Sequence, residues 1–273
     1  MIPKIIHYCW FGGKPLSELA IKCIESWKRY CPDYEIVQWN ETNYDFSNKC
    51  RYVQEAYEVK KWAFVSDYAR LDIVYNYGGV YLDTDVELLK SLDAILNQEC
   101  FLAQEISGYI GSGLGFGAIK NNQYIKKMLD EYTGISYRLG KDIYDKTPCP
   151  ARNTAPFRKM GFEKSNEIQI IGDCTIYPSD FFCPFNHRTK ELNITENTIA
   201  IHYYNASWIP DEEKKVRAEL NEYMKSHGKF SAFLYKNKRE FAVQYPQKGL
   251  WNLMKFFVFK VKRKILYRRI KVS

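Results

Sequence analysis

None of the eight cysteines, at 9, 23, 31, 50, 100, 149, 174 and 183, forms a Cys-x-x-Cys pair, and the chain is long at 273 residues. Neither a disulfide framework nor a zinc site is expected. Free thiols of this kind fit a reducing cytoplasm. No apolar run reaches about 18 residues, so no transmembrane helix is expected. The start, Met-Ile-Pro-Lys-Ile-Ile-His, lacks the basic region and long apolar run of a secretory signal and reads as a first strand. The sequons Asn193-Ile-Thr and Asn205-Ala-Ser then read as chance. Internal repeats and low-complexity linkers are also missing.

Net charge is lacking over most of the chain. Residues 249–273 hold five Lys, three Arg and no acid, which accounts for the whole net charge of +8. The remaining body is neutral, which disfavours a nucleic-acid partner. The length suffices for one large α/β domain or two small ones with a full core. Aromatics make up 16% of the residues, an excess that suits stacking on bases or sugars as well as an aromatic core.

Strand and helix signals alternate through the first 90 residues, which argues for an α/β sheet. Residues 2–11 read as a buried strand ending at Trp10-Phe11-Gly12-Gly13. Apolar spacing predicts a helix over 17–30, closed by Pro32. A strand over 34–39 follows, then a helix over 52–77 ended by Gly78-Gly79 as by a left-handed cap, then a strand over 80–86. Beyond residue 100 lie a Gly-rich stretch (Gly108, Gly111, Gly113, Gly115, Gly117), a helix over 121–132, loops and short strands over 134–190 with several prolines, a strand over 198–204 and a charged helix over 211–227.

The strongest chemical signal is Gly78-Gly79-Val-Tyr81-Leu-Asp83-Thr-Asp85. Two carboxylates at i and i+2 of an extended segment point the same way. At a strand end they project into the crevice where α/β sheets bind ligands. Two close carboxylates repel, and a divalent cation relieves the repulsion. Oxygen ligands suit Mn²⁺ or Mg²⁺, ions that commonly bind substrate phosphates. Asp67 and Arg70 lie one helical turn apart just upstream. Asp67, Arg70, Tyr81, Asp83 and Asp85 together are denser in polar groups than a buried strand-and-helix unit normally accepts.

Three segments taken in order carry a family resemblance: Ile2-Pro-Lys-Ile-Ile-His-Tyr-Cys-Trp10-Phe-Gly-Gly, Ala63-Phe-Val-Ser66-Asp67-Tyr-Ala-Arg70, and Tyr77-Gly-Gly-Val-Tyr81-Leu-Asp83-Thr-Asp85. Residues 2–93 resemble the catalytic core of the family-32-like retaining glycosyltransferases, which are related to yeast initiating α-mannosyltransferases, bacterial capsular sugar transferases and large clostridial glucosylating toxins. The resemblance implies a GT-A fold, a single Rossmann-like nucleotide-sugar-binding domain. It implies that Trp10 stacks on the donor base, that Ser66 touches the nucleotide, and that Asp67 and Arg70 hold the donor sugar and phosphate side. It places Tyr81 on the nucleotide-sugar, Asp83 on ribose and metal, and Asp85 as the direct metal ligand. Asn40 or Asn43 falls near the base, with Asn43 the candidate taken forward. The segment His202-Tyr-Tyr-Asn205-Ala-Ser207-Trp208 resembles the family's closing His…Ser-Trp segment. His202 is a candidate third metal or phosphate ligand, and Ser207 and Trp208 are candidate donor contacts.

The resemblance therefore implies a metal-dependent retaining hexosyltransferase with Mn²⁺ or Mg²⁺ as cofactor. The expected donor is a UDP-hexose, with GDP-mannose the second choice, and front-face attack is preferred to a covalent intermediate. Residues 1–247 are expected to form the transferase domain, with 1–93 as its nucleotide-sugar-binding core and 94–247 shaping the donor-sugar and acceptor side. In 248–273, Leu250, Met254, Phe257, Val258, Val261 and Ile265 make one helical stripe amid basic residues. Such a basic amphipathic helix lies in a membrane interface. It suggests a bacterial, cytoplasmic enzyme on the inner face of the plasma membrane. Its acceptor would be a lipid-linked glycan of capsule or lipopolysaccharide synthesis. Two other readings compete. A haloacid-dehalogenase-type phosphohydrolase uses an Asp-x-Asp motif, but the later Asp173 and Asp180 are spaced too widely for it. A non-enzymatic peripheral membrane sugar-binding protein explains the tail but not the Asp67–Asp85 cluster.

Overall fold

The computed structural model describes residues 1–141, 143–205 and 219. One compact unit contains 1–138 and 144–205; residues 139–143 fall in a second. The elements in chain order are β1 (Ile5–Cys9), α1 (Glu18–Tyr30), β2 (Glu35–Trp39), α2 (Arg51–Glu58), α3 (Trp62–Tyr77), β3 (Gly79–Tyr81), β4 (Val86–Leu88), β5 (Cys100–Ala103), β6 (Phe116–Ala118), α4 (Gln123–Asp130), β7 (Arg138–Gly140), β8 (Ile143–Tyr144), α5 (Cys149–Lys159), β9 (Gln169–Ile171), β10 (Cys174–Tyr177), α6 (Ser179–Phe182) and β11 (Ala200–His202). Seven strands form one mixed sheet in the order β2-β1-β3-β6-β5-β10-β9. Parallel pairing joins β1 to β2 and β3, and β10 to β5, while β6 runs against both β3 and β5. This is a mixed, Rossmann-like α/β sheet, the fold class that the alternating strand and helix signals predict. Among the described residues, no helix is long and apolar enough to cross a membrane.

The first helix forms for reasons visible in the chain. Ser17 caps α1 by accepting the Ala20 amide at 3.2 Å, Glu18 lies in its first turn, and Lys28 and Arg29 lie in its last. Its buried face does more than fill space. Trp27 Nε1 donates to the Val86 carbonyl at 2.7 Å, and Ser26 Oγ accepts the Leu88 amide at 2.9 Å. The helix thus grips β4, the strand immediately after Asp85.

Four expectations are corrected. The helix expected over 52–77 is two helices, because Lys60 takes a left-handed conformation (φ 54°) that a helix interior rejects. Gly78 does end α3, donating to the Val74 carbonyl, but at φ 72° and ψ −172° it sits in a glycine-only region and not in the left-handed helical one. That conformation turns the chain directly into β3. The strand expected over 80–86 is likewise interrupted. β3 stops at Tyr81 and β4 starts at Val86 in a separate two-stranded sheet with β11. Asp83-Thr84-Asp85 is the turn between them, closed by the Val86 amide on the Asp83 carbonyl at 3.0 Å. The 134–190 region also holds a full helix, α5. Pro150 is tolerated in its first turn, where no intrahelical N–H is needed, although Pro156 lies inside it. Of the helix expected over 211–227 only residue 219 is described, and the tail over 248–273 lies outside the described residues.

Candidate functional site

Four segments converge at the carboxyl ends of β1 and β3. α3 brings Asp67 and Arg70, β3 brings Tyr81, the following turn brings Asp83 and Asp85, and β11 brings His202. The β4–β11 register sets His202 opposite Val86, beside Asp85. The Tyr203 amide donates to the Asp85 carbonyl at 2.9 Å and locks that register.

Arg70 is the hub of one side. Its guanidinium lies 3.0 Å from Asp67 Oδ1 and 3.4 Å from Asp83 Oδ1, and its Nε donates to the Ser66 carbonyl at 3.0 Å. Below it, the Tyr81 ring centroid is 5.2 Å from the guanidinium carbon, a cation–π distance. The Tyr81 hydroxyl donates to Asp83 Oδ1 at 3.0 Å. Burial pushes the Asp67 carboxyl up to about 6, against the pull of Arg70. Burial likewise raises Asp83, with Arg70 opposing and Asp85 adding to the rise.

The other side is organised by His202. Its Nε2 lies 3.1 Å from Asp85 Oδ1, and the Asn205 amide donates to Asp85 Oδ2 at 2.8 Å. Burial acts to raise Asp85, but the charge and hydrogen bond of His202 and the Asn205 amide together hold it below the ordinary carboxylate range. His202 shows the reciprocal effect. Burial favours the neutral ring, yet Asp85 and then Asp83 and Glu105 raise it.

This arrangement fits a divalent cation. One ligand atom each from Asp83, Asp85 and His202 lies within 4.8 Å of the others. Among the described residues the buried His202 Nδ1 has no hydrogen-bond partner, which a bound ion would explain. Gly113 supplies a cradle. A Cβ there would overlap Asp83 Oδ2 and lie 3.0 Å from Arg70 Nη1, so only a glycine backbone fits against the carboxylate. Two carboxylates and an imidazole form a mixed O,N set compatible with Mn²⁺.

The remaining candidates lie further out. Trp10 is half-buried at the end of β1, with its indole N–H given to the Lys14 carbonyl at 2.6 Å. Ser66 is half-buried on α3, one residue before Asp67. Tyr81 is 1% exposed, so its polar tip serves Asp83 from below. Asn43 is not brought to the cluster. Its amide closes a local turn, accepting from the Asn40 amide and donating to the Gln38 carbonyl, both at 2.8 Å. Ser207 and Trp208 lie outside the described residues. Gly113 was visible in the sequence only as part of a Gly-rich stretch. Glu105, a carboxyl raised by burial and facing the charge of His202, carried no sequence signal. The phosphohydrolase alternative gains nothing, since Asp180 accepts from Thr195 and Asn197, both at 3.1 Å, as a loop pin.

Comparison with known proteins agrees with this geometry. Residues 17–102 match the family described as the glycosyltransferase sugar-binding region containing the DXD motif. Over that segment the chain resembles the DXD-containing glycosyltransferases. The chain is similar to two proteins of Schizosaccharomyces pombe. It is 31% identical to inositol phosphoceramide mannosyltransferase 3 over 42% of this chain and 33% of that protein. It is 26% identical to inositol phosphoceramide mannosyltransferase 1 over 50% of this chain and 44% of that protein. The chain thus spans a third to under half of the curated relatives it matches. Among solved structures, the PaToxG glycosyltransferase aligns with 58% of this chain and 69% of its own, at 22% identity and a TM-score of 0.47.

Proposed function

We propose that the protein is a metal-dependent retaining glycosyltransferase that moves a hexose from a nucleotide-sugar to a glycan acceptor. The observation that carries this reading is the joining of Asp83, Asp85 and His202 to the Arg70–Asp67 pair through one shared turn. Asp83, Asp85 and His202 would hold a divalent cation, which would supply positive charge to the diphosphate leaving group. Arg70 adds a fixed guanidinium beside it, already oriented by Ser66, Asp67 and Tyr81. Such preorganised charge is commonly the largest contribution to catalysis of this kind. Asp67, half-buried and paired with Arg70 on one edge, would accept hydroxyls of the donor sugar. Trp10 offers an aromatic face to the base.

A UDP-hexose is the favoured donor because Trp10 matches the position used by UDP-sugar transferases. GDP-mannose stays in contention because the two fission-yeast relatives bear mannosyltransferase names. The lipid-linked acceptor, the role in capsule or lipopolysaccharide synthesis and the seat on the inner membrane face rest on the basic stripe of 248–273. Front-face departure and attack is the preferred course. The deciding experiment measures UDP or GDP release from a panel of nucleotide-sugars with and without Mn²⁺. Release from at least one donor, dependent on the metal, supports the reading. Release from none, or phosphomonoester hydrolysis instead, refutes it.

A further inference from the structure

The chain that leaves β11 holds Asp85 at three points. His202 Nε2 meets Asp85 Oδ1 at 3.1 Å, the Tyr203 amide donates to the Asp85 carbonyl at 2.9 Å, and the Asn205 amide donates to Asp85 Oδ2 at 2.8 Å. Tyr204 lies between those two amides at φ 53°. A straight extended chain would carry the amides of 203 and 205 about 6–7 Å apart along one line. The left-handed turn instead bends the second amide back onto the same residue. Glycine takes this conformation without steric cost, whereas a residue with a side chain keeps it only where its surroundings hold it. A tyrosine at this position implies that its ring is used.

That ring is held from three directions. Its centroid is 4.1 Å from that of the His202 imidazole and 4.5 Å from that of His187, and its hydroxyl hydrogen-bonds the buried Cys183 Sγ at 3.0 Å. His187 comes from a hairpin over 184–193. The hairpin is closed by the Phe185–Leu192 bridge, by the Asn186 amide on the Glu191 carbonyl at 2.8 Å and by the Asn193 amide on the Pro184 carbonyl at 3.1 Å. Cys183 directly precedes it, at the end of α6. His202 needs such a wall. Among the described residues only one of its ring nitrogens has a partner, and that single contact leaves the imidazole free to tilt about the line from Nε2 to Asp85. A ring packed on its face removes that freedom.

We propose that Tyr204 is a positioning residue for the Asp85–His202 pair. Its ring, between His202 and His187, fixes the plane of the His202 imidazole, and its left-handed backbone aims the Asn205 amide at Asp85. The 184–193 hairpin is the outer wall of this arrangement, so a surface loop helps to set the affinity of the cation site. This rests on the reading of Asp83, Asp85 and His202 as ligands of a divalent cation. Residues that orient metal ligands from behind change metal affinity by about 10- to 100-fold when they are removed.

The test titrates the full chain with Mn²⁺ alone, without donor, and follows free Mn²⁺ by its electron paramagnetic resonance signal. Tyr204→Leu removes the ring, and its Mn²⁺ Kd should rise about tenfold. Tyr204→Gly accepts the left-handed turn but also lacks the ring, and it should lose a similar amount. Tyr204→Phe keeps the ring and should stay within about twofold of wild type. His187→Ala changes an exposed residue and should raise the Kd about threefold. Wild-type affinity in a folded Tyr204→Leu or Tyr204→Gly overturns the inference, as does a Tyr204→Phe that loses as much as Tyr204→Leu. If the Leu and Gly variants fail to fold, His187→Ala carries the test: a raised Kd supports the proposal and an unchanged one overturns it. A wild type that binds no Mn²⁺ refutes the cation-site reading and this inference with it, whereas binding that is indifferent to Tyr204 refutes this inference alone.

Discussion

His7 and His202 are both buried strand residues, and their ionisation moves in opposite directions. His7 lies in the main sheet on β1, and burial lowers it to about 4. Both of its ring nitrogens are used by the neutral form: Nε2 donates to the Gly78 carbonyl at 2.9 Å, and Nδ1 accepts the Trp39 indole N–H at 3.2 Å. A second proton on Nδ1 would meet another N–H. His202, on β11, suffers the same burial but has Asp85 on one nitrogen and, among the described residues, no partner on the other, and it is raised. Burial alone makes an imidazole neutral and structural. Burial beside carboxylates makes it a group whose charge depends on what else enters the site.

The comparison breaks most sharply at Asp85. Asp85→Asn keeps hydrogen-bonding atoms for the Asn205 amide but removes the charge that raises His202. Metal-dependent donor hydrolysis should fall by about 10²–10³, and the His202 ring resonances followed by NMR should titrate at lower pH than in wild type. Retention of full metal-dependent turnover would remove Asp85 from the site. Arg70→Met tests the other side. It leaves Asp67 and Asp83, both half-buried, without their cation; a fully buried pair costs about 3–5 kcal/mol to break, and their partial exposure brings the expected loss toward about 2–3 kcal/mol. Urea unfolding at neutral pH should show the loss. A change under about 1 kcal/mol would mean the carboxylates pair elsewhere.

Gly113→Ala asks whether the cradle matters. The added Cβ meets Asp83 Oδ2, so Asp83 must move or the loop must lift. The Mn²⁺ concentration for half-maximal rate should rise about tenfold, equivalent to about 1.4 kcal/mol, with a melting temperature close to wild type. An unchanged metal requirement would show that Asp83 does not hold the cation through Oδ2.

The sequence made the first 80 residues legible because their signals are local. Ser17 caps what it precedes, and the 5–9 and 35–39 runs pair in parallel as strands of this composition do. The site cluster was legible as a list of residues, since Asp67, Arg70, Tyr81, Asp83 and Asp85 crowd one short stretch. Its geometry was not. The turn at Asp83–Asp85 follows from α1 gripping β4 and from β11 pairing with it, contacts 60 to 120 residues apart that no spacing announces. α5 hid behind prolines whose positions a helix tolerates. For Asn43, the sequence supplied a polar residue near the right place, and its local turn bonds keep it from the cluster.

The last prediction concerns His7 and has the mildest consequence at neutral pH. Its folded pKa, about 4, lies below the ordinary 6.5, so above pH 6.5 both folded and unfolded states hold a neutral ring and His7 adds no pH dependence. As pH falls from 6.5 toward 4, the unfolded chain takes up a proton that the folded one refuses, and stability is lost; below 4 the loss is complete. The full drop is about 3 kcal/mol, from about 1.4 kcal/mol for each pKa unit. His202, raised in the fold, places its own dependence on the other side, losing stability as pH rises past 6.5. His7→Gln keeps a donor for Gly78 and has no titrating ring. Its unfolding free energy between pH 6.5 and 4.5 should decline less steeply than that of the wild type, while the two slopes should agree above pH 7. Parallel curves across the acid range would mean that His7 is protonated in the folded protein, and the contrast with His202 would fall.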